Sequence, residues 1–257
     1  MGRVLLVTGG ARGIGRAVVE HAAHQGFDIA VGYRTETEAA KAAVDAVEAA
    51  GQRAIAVQAD LAEEADIMRL FQQTETGLGP IAALVNSAGI STRVRADEVG
   101  AGQIQRLMAV NVIGLMLCCR EGIRRMSTRH GGKGGAIVNV SSMAATTGGR
   151  PGASHYAGSK GGVDCFTKGV AKEVATEGVR VNAVRPGVTL TDMVEAVRDD
   201  PKVRQKINAT IPLNRPADAS EIAAPIVWLL SDEASFVTGA IIDASGGGFV
   251  IGAATGS

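Results

Sequence analysis

Aromatic residues make up only 3% of this 257-residue chain, so a binding surface built mainly on ring stacking is excluded. Neither sign of charge prevails: 26 Lys and Arg stand against 26 Asp and Glu, for a formal net charge of zero. That excludes a strongly basic nucleic-acid binder and a polybasic membrane-surface protein. Cysteine is scarce. Cys118, Cys119 and Cys165 show no CxxC spacing, and two of them adjoin inside an apolar run. They read as buried small hydrophobes in a reducing compartment. The four histidines do not cluster as metal ligands would, so no metal is expected. No uninterrupted run of about 18 apolar residues occurs, so no membrane span is expected. The opening MGRVLLVTGG is too short an apolar stretch for a signal peptide, and a cytoplasmic protein is the expectation.

What the chain does have is apolar content, 46% of it, which argues against disorder. A chain of this length hides roughly 70–75% of its unfolded surface on folding and needs no staple. Short β-branched runs alternate with longer Ala-rich stretches. Strands are expected at Val4–Thr8, Asp28–Tyr33, Ala54–Gln58, Ile81–Asn86, Ala136–Ser141, Val179–Val184 and Ala240–Asp243. Helices are expected at Ile14–Gln25, Glu36–Ala50, Glu63–Thr76, Ala101–Ser127, Ser154–Glu177 and Asp218–Ser231, the last with Asp218 and Glu221 spaced as a capping box. The strands are continuous apolar runs, as in strands buried on both faces. The alternation implies right-handed crossovers and a doubly wound, Rossmann-type parallel sheet with helices on both faces. No linker or repeat divides the chain, so residues 1–257 read as one dinucleotide-binding and catalytic domain. Thr189–Pro216 interrupts the alternation and reads as a substrate-side flap, with Met193 and Val194 on its substrate side.

Between the first strand and the first helix lies Thr8-Gly9-Gly10-Ala11-Arg12-Gly13-Ile14-Gly15. Glycines allow a tight turn and let a diphosphate approach bare backbone, while the helix N-terminus offers unpaired N–H groups. A ligand of such a sheet sits at the carboxyl ends of the strands. An acid about 20 residues beyond the glycines would bind a ribose 2′-OH. That place holds Tyr33-Arg34-Thr35, with no acid until Glu36. Arg34, joined by Arg12, would instead pair with a 2′-phosphate, which favours NADP(H) over NAD(H).

Tyr156 and Lys160 are four apart on an expected helix and share a face. Ser142 ends a strand 14 residues upstream of Tyr156, and all three can meet at the carboxyl edge of the sheet. A neutral Tyr hydroxyl can give a proton to a ketone oxygen, and a nearby Lys ammonium is expected to lower the Tyr pKa. Ser142 can donate to the oxygen where negative charge develops. The glycines Gly158, Gly161 and Gly162 in the same helix each cost about 1 kcal/mol relative to Ala, which points to a close approach at the cofactor or at a subunit interface.

Taken in order, these motifs resemble the short-chain dehydrogenase/reductase family over essentially the whole chain. The resemblance rests on the T-G-x-x-x-G-x-G loop, Asp60 after the third strand, Asn86-Ser87-Ala88-Gly89, Asn111, Ser141-Ser142, Tyr156-x-x-x-Lys160, Pro186-Gly187 and Thr191-Asp192-Met193. Ser87 stands where the family has a second Asn. The resemblance implies that Ser142, not Ser141, is the active serine, that Lys160 also holds the nicotinamide ribose, and that Asn111 anchors a water relaying protons to Lys160. It implies cofactor contacts from Gly9, Arg12, Gly13, Ile14, Gly15, Arg34, Asp60 (at the adenine amino group), Leu61, Asn86, Ala88, Gly89, Tyr156, Lys160, Pro186, Gly187, Val188 and Thr191. It also implies a homotetramer joined through the fourth and fifth helices.

The expected function is therefore an NADP(H)-dependent oxidoreductase interconverting a secondary alcohol and a ketone of a small molecule, with no nucleic-acid partner. A dinucleotide-binding regulator without turnover is the alternative, but it would be expected to lose Tyr, Lys or Ser. An epimerase or dehydratase on the same fold often carries a larger substrate domain, for which the C-terminal region leaves little room.

Overall fold

The structure, a computed structural model, describes residues 2–192 and 199–248. Seven parallel strands form one sheet in the order β3-β2-β1-β4-β5-β6-β7. They are β1 (Arg3–Thr8), β2 (Phe27–Tyr33), β3 (Ala54–Gln58), β4 (Ile81–Asn86), β5 (Gly135–Val140), β6 (Val179–Pro186) and β7 (Ile241–Ala244). Each expected strand is present within about two residues of its expected ends.

The reason for the continuous apolar runs is visible in β1. Leu5 and Val7 face one core, packed against helices α1 (Gly13–His24), α2 (Thr37–Ala49) and α9 (Ala219–Leu230). Val4 and Leu6 face a second core under α3 (Glu64–Leu78), α5 (Leu115–Met126) and α7 (Ser154–Val174), the last preceded by the short α6 (Ala144–Thr147). Both faces are covered, so alternation with polar residues would place polar groups in a core. Asp218 and Glu221 form the expected capping box of α9.

The expected helix Ala101–Ser127 is not uniform. α4 (Ala101–Met108) passes into a π-helical segment, Ala109–Gly114, before α5. Gly114 lies hard against the Leu61 carbonyl, closer than any Cβ would allow. Taken whole, Ala101–Met126 is long and apolar enough to cross a membrane by length and composition, among the described residues. The sequence reading missed this because charges interrupt the run at its ends. Much of it instead packs on β4, β5 and α7.

One cysteine reading is corrected. Cys118 and Cys119 are buried, but Cys165 is exposed, because α7 turns Val163 and Asp164 inward and Cys165 outward. The Thr189–Pro216 stretch contains a helix, α8 (Pro201–Asn208), capped by the Asp200 side chain, which accepts from the N–H groups of Lys202 and Val203. Its two ends are tied by a parallel bridge between Thr189 and Ala217. Ile207 and Ile211 form a small core of their own with Val188, Leu190 and Val203. Met193 and Val194 lie outside the described residues.

Candidate active site

Strand order reverses at β1, which pairs with β2 on one side and β4 on the other. A crevice opens at such a point, beyond the carboxyl ends of the strands. Register fixes what lines it: Thr8 is opposite Gly32 and Asn86, and Asn86 is opposite Asn139.

The glycine loop fills the β1 side of this crevice. Gly9 has φ +66°, and a Cβ there would stand 2.8 Å from the Ala88 Cα. Thr8 Oγ1 accepts from the Ala88 N–H at 3.3 Å and ties the two strand ends together. Gly13 has φ +54° and begins α1, and a Cβ on it would meet Thr191 Cγ2 at 3.3 Å. Gly15 packs against the Gly9 carbonyl. Ile14, half-buried, rests on the core under β1. Bare backbone, left-handed turns and a helix N-terminus are what a diphosphate requires, so these residues fit a dinucleotide.

Charged residues beside the loop already have partners. Arg12 donates to Glu36 at 2.7 Å and lies 3.6 Å from Asp192. The Glu36 carboxyl is held below its ordinary range: burial opposes this, and hydrogen bonds from Thr35 and the charge of Arg12 outweigh it. Asp60 accepts from Arg106 at 2.7 and 2.9 Å and from the Ala62 N–H at 3.0 Å. Against the cost of burial, these bonds hold Asp60 below its ordinary range, helped by the charge of Arg34. Arg34, Thr35, Gln58, Asp60, Asp66 and Arg69 line a cavity of about 440 Å³ at the ends of β2 and β3. Leu61 is buried in the second core. Sequence reasoning missed Arg106, whose approach to Asp60 depends on the crossover between β4 and β5.

Asn86 is turned away from the crevice. Its amide donates to Asn139 Oδ1 at 2.9 Å in a buried network that continues to Thr167. Its own Oδ1 is buried with no hydrogen-bond partner among the described residues. On the far side of the crevice, Pro186 ends β6, Gly187 donates to the Ala244 carbonyl, and Val188 accepts from Ala217.

Ser142, Tyr156 and Lys160 come together at the end of β5. Ser142 is near enough to Tyr156 to act on its phenol. Ser142 Oγ also accepts from the Ala144 N–H at 3.1 Å. Ser141 points elsewhere, its hydroxyl donating to the Lys160 carbonyl at 3.3 Å. Lys160 Nζ donates to the Val140 carbonyl at 2.8 Å and lies 5.9 Å from the Tyr156 ring centre. Gly89 sits where a Cβ would be 3.4 Å from Asn111 Oδ1 and 3.6 Å from Lys160 Nζ. Asn111, fully buried in the π-helical segment, accepts from the Ile90 N–H at 2.8 Å and donates to the Ile90 carbonyl at 2.9 Å. It also donates to Ser159 at 3.2 Å. Its side chain is thus committed to protein groups.

The electrostatics correct one expectation. Burial pushes the Tyr156 phenol above its ordinary value, opposed by Ser142, and no lowering by Lys160 enters. Burial also brings Lys160 down to about 8, with the Asp164 carboxylate acting against it. Desolvation disfavours the charged form of both groups, and here it prevails over pairwise attraction.

Comparison with known proteins gives the family. The family described as Enoyl-(Acyl carrier protein) reductase matches residues 9–248. The chain belongs to the short-chain dehydrogenase/reductase family of NAD(P)-dependent oxidoreductases. The uncharacterized oxidoreductase YgfF of Escherichia coli is 44% identical over 245 residues, 95% of this chain and 99% of that protein. A blue fluorescent protein from a metagenomic library, solved in complex with NADPH, superposes with a TM-score of 0.89 at 35% identity, covering 97% of this chain and 98% of the other. A short chain dehydrogenase from Burkholderia cenocepacia, solved with NADP, gives a TM-score of 0.90 at 32% identity, covering 96% and 98%.

Proposed function

We propose that the protein is an NADP(H)-dependent oxidoreductase interconverting a secondary alcohol and a ketone at Ser142, Tyr156 and Lys160. The observation that carries this reading is the gathering of Tyr156 with Ser142 and the buried Lys160, whose Nζ lies 5.9 Å from the Tyr156 ring centre, at the crevice edge that the glycine loop lines. A bound nicotinamide supplies the hydride.

The chain's own residues supply the proton and the positioning. Tyr156, kept neutral by burial, gives its hydroxyl proton to the ketone oxygen during reduction. Ser142 hydrogen-bonds that oxygen as charge grows on it. Lys160, near 8, can lose and regain a proton close to neutral pH and so return one to Tyr156. Asn111 holds the Ile90 backbone, and through it the loop after Gly89, in place beside Lys160. The glycine loop would hold the diphosphate, with Arg12 and Arg34 at the 2′-phosphate and Asp60 at the adenine.

The NADPH and NADP complexes of the two structural relatives support NADP(H) as the cofactor. Turnover of a ketone panel, read by NADPH absorbance, tests the reading; NADPH binding without reduction of any ketone would favour a regulator instead. Thr189–Pro216 is proposed as a flap over the substrate, within a single domain. A homotetramer is proposed through α5 and α7, between which an open groove of about 340 Å³ has Met116, Ile123, Phe166 and Val170 on its lining beside charged residues such as Arg120, Arg124 and Glu173. Gly158, Gly161 and Gly162 have room for a Cβ within the chain, which is compatible with a close approach by another subunit. Light scattering that gives a monomer at micromolar concentration would reject the assembly. The cytoplasm is the proposed compartment, in keeping with three free thiols.

A further inference from the structure

Two arginines stand at the rim of this site and are not accounted for by cofactor or fold. Arg93 lies in the loop that leaves β4 after Gly89, and Arg150 in the loop between Ser142 and Tyr156. The loops are bonded to each other, the Val94 N–H donating to the Gly152 carbonyl at 3.0 Å. The contact is close: a Cβ on Gly152 would stand 3.4 Å from Val94 N and 3.7 Å from the Arg93 carbonyl carbon. A second tie joins Thr92 to His155, the neighbour of Tyr156, at 2.9 Å. Both arginines are exposed. Burial and the repulsion of Arg93 together hold Arg150 below its ordinary value.

Neither guanidinium has an ion-pair or hydrogen-bond partner among the described residues, although the Arg150 carbonyl accepts from the Ala153 N–H at 2.9 Å. The next arginine along the same loop, Arg95, is paired with Asp97 at 2.9 Å. Most other arginines near the crevice are neutralised similarly, Arg12 by Glu36 and Arg106 by Asp60. Holding two like charges together costs free energy unless an anion lies between them. The cofactor phosphates do not meet this need, because the glycine loop and Arg34 belong to β1 and β2, across the crevice from these loops.

We infer that Arg93 and Arg150 form an anion-binding pair that selects substrates carrying a carboxylate or phosphate beside the reacting carbonyl. This names the substrate class of the oxidoreductase reading and rests on it. Guanidinium groups suit both anions, since their forked donors match two oxygens at once.

The test uses matched ketones with the NADPH-loaded protein: 4-oxopentanoate against its methyl ester, and dihydroxyacetone phosphate against dihydroxyacetone. The charged member of at least one pair is expected to have a kcat/KM roughly tenfold or more higher, mainly through KM. Which pair shows the preference separates carboxylate from phosphate. In Arg93→Gln/Arg150→Gln the ratio is expected to fall to within about threefold of one. Lysine at both positions keeps part of it. Arg95→Gln, which removes the same charge from the same loop, keeps the wild-type ratio.

Equal or better use of the neutral ketone in both pairs by wild type overturns the inference. So does an unchanged ratio in the double variant, or an equal loss in Arg95→Gln. If no ketone is reduced, the catalytic reading has failed, and calorimetric titration of 4-oxopentanoate and inorganic phosphate still decides the anion pair. Binding by wild type that the double variant loses supports it, and no binding by wild type overturns it.

Discussion

Arg12 donates to Glu36 at 2.7 Å, so the cation nearest the glycine loop is already shared with a carboxylate. The pair is exposed enough for a phosphate to compete for the arginine, and surface pairs contribute about 0–1 kcal/mol. Among the described residues Arg34 has no such carboxylate partner, and it carries more of the expected preference for a 2′-phosphate. Arg34→Asp is expected to lower the kcat/KM ratio of NADPH to NADH by roughly tenfold or more. A wild type that prefers NADH would refute the cofactor reading.

Tyr156→Phe keeps the ring packing and removes the proton. Turnover is expected to fall by roughly 10²-fold or more, while NADPH binding, followed by fluorescence titration, stays within about threefold. Substantial residual turnover would remove Tyr156 from the acid–base role.

Lys160 has a signed pH signature. Its folded value of about 8 lies below the ordinary 10.5, so between these values the unfolded chain binds more protons than the native one. The native state carries the full cost of the buried charge below about pH 8 and loses that cost as pH rises towards 10.5. Measured against Lys160→Met, which has no such group, wild-type stability should therefore climb through this window, by on the order of 3 kcal/mol at most. Denaturant melts of both proteins from pH 7 to pH 10 give the difference directly, and a flat difference would show that the ammonium is not desolvated.

Gly9→Ala tests the crevice. The position has φ +66° and its Cβ would collide with Ala88 backbone. A loss of about 1–3 kcal/mol in stability is expected, together with weakened NADPH binding. Chemical denaturation and cofactor titration measure the two effects separately.

Hydrogen exchange across residues 199–216 tests the flap. The bridge from Thr189 to Ala217 and the Ile207–Ile211 cluster make the segment a unit that could move as one. Protection in α8 is expected to rise when NADPH and substrate are both present. Equal protection with and without them would mean a permanently docked helix.

The strands, their order in the chain and the position of the glycine loop were legible in the sequence, because each is a local property. A β-branched run buried on both faces must be apolar throughout, as β1 is with Val4, Leu5, Leu6 and Val7. The four-residue spacing of Tyr156 and Lys160 likewise dictates a shared helical face. What the sequence could not display are contacts between residues far apart along it. Arg106 reaches Asp60 across 46 positions, and Arg12 reaches Glu36 across 24. The π-helical turn at Asn111 and the close approach of Gly114 to Leu61 are features that no helical periodicity announces. The same holds for the charge states of the site. Spacing alone suggested that Lys160 lowers the Tyr156 pKa, whereas burial, a product of packing between α7 and the end of β5, moves both groups the other way. The local alternation of apolar runs set the class of fold; the crossovers of the chain decided which charges meet, which are neutralised, and which, like Arg93 and Arg150, come near enough to repel.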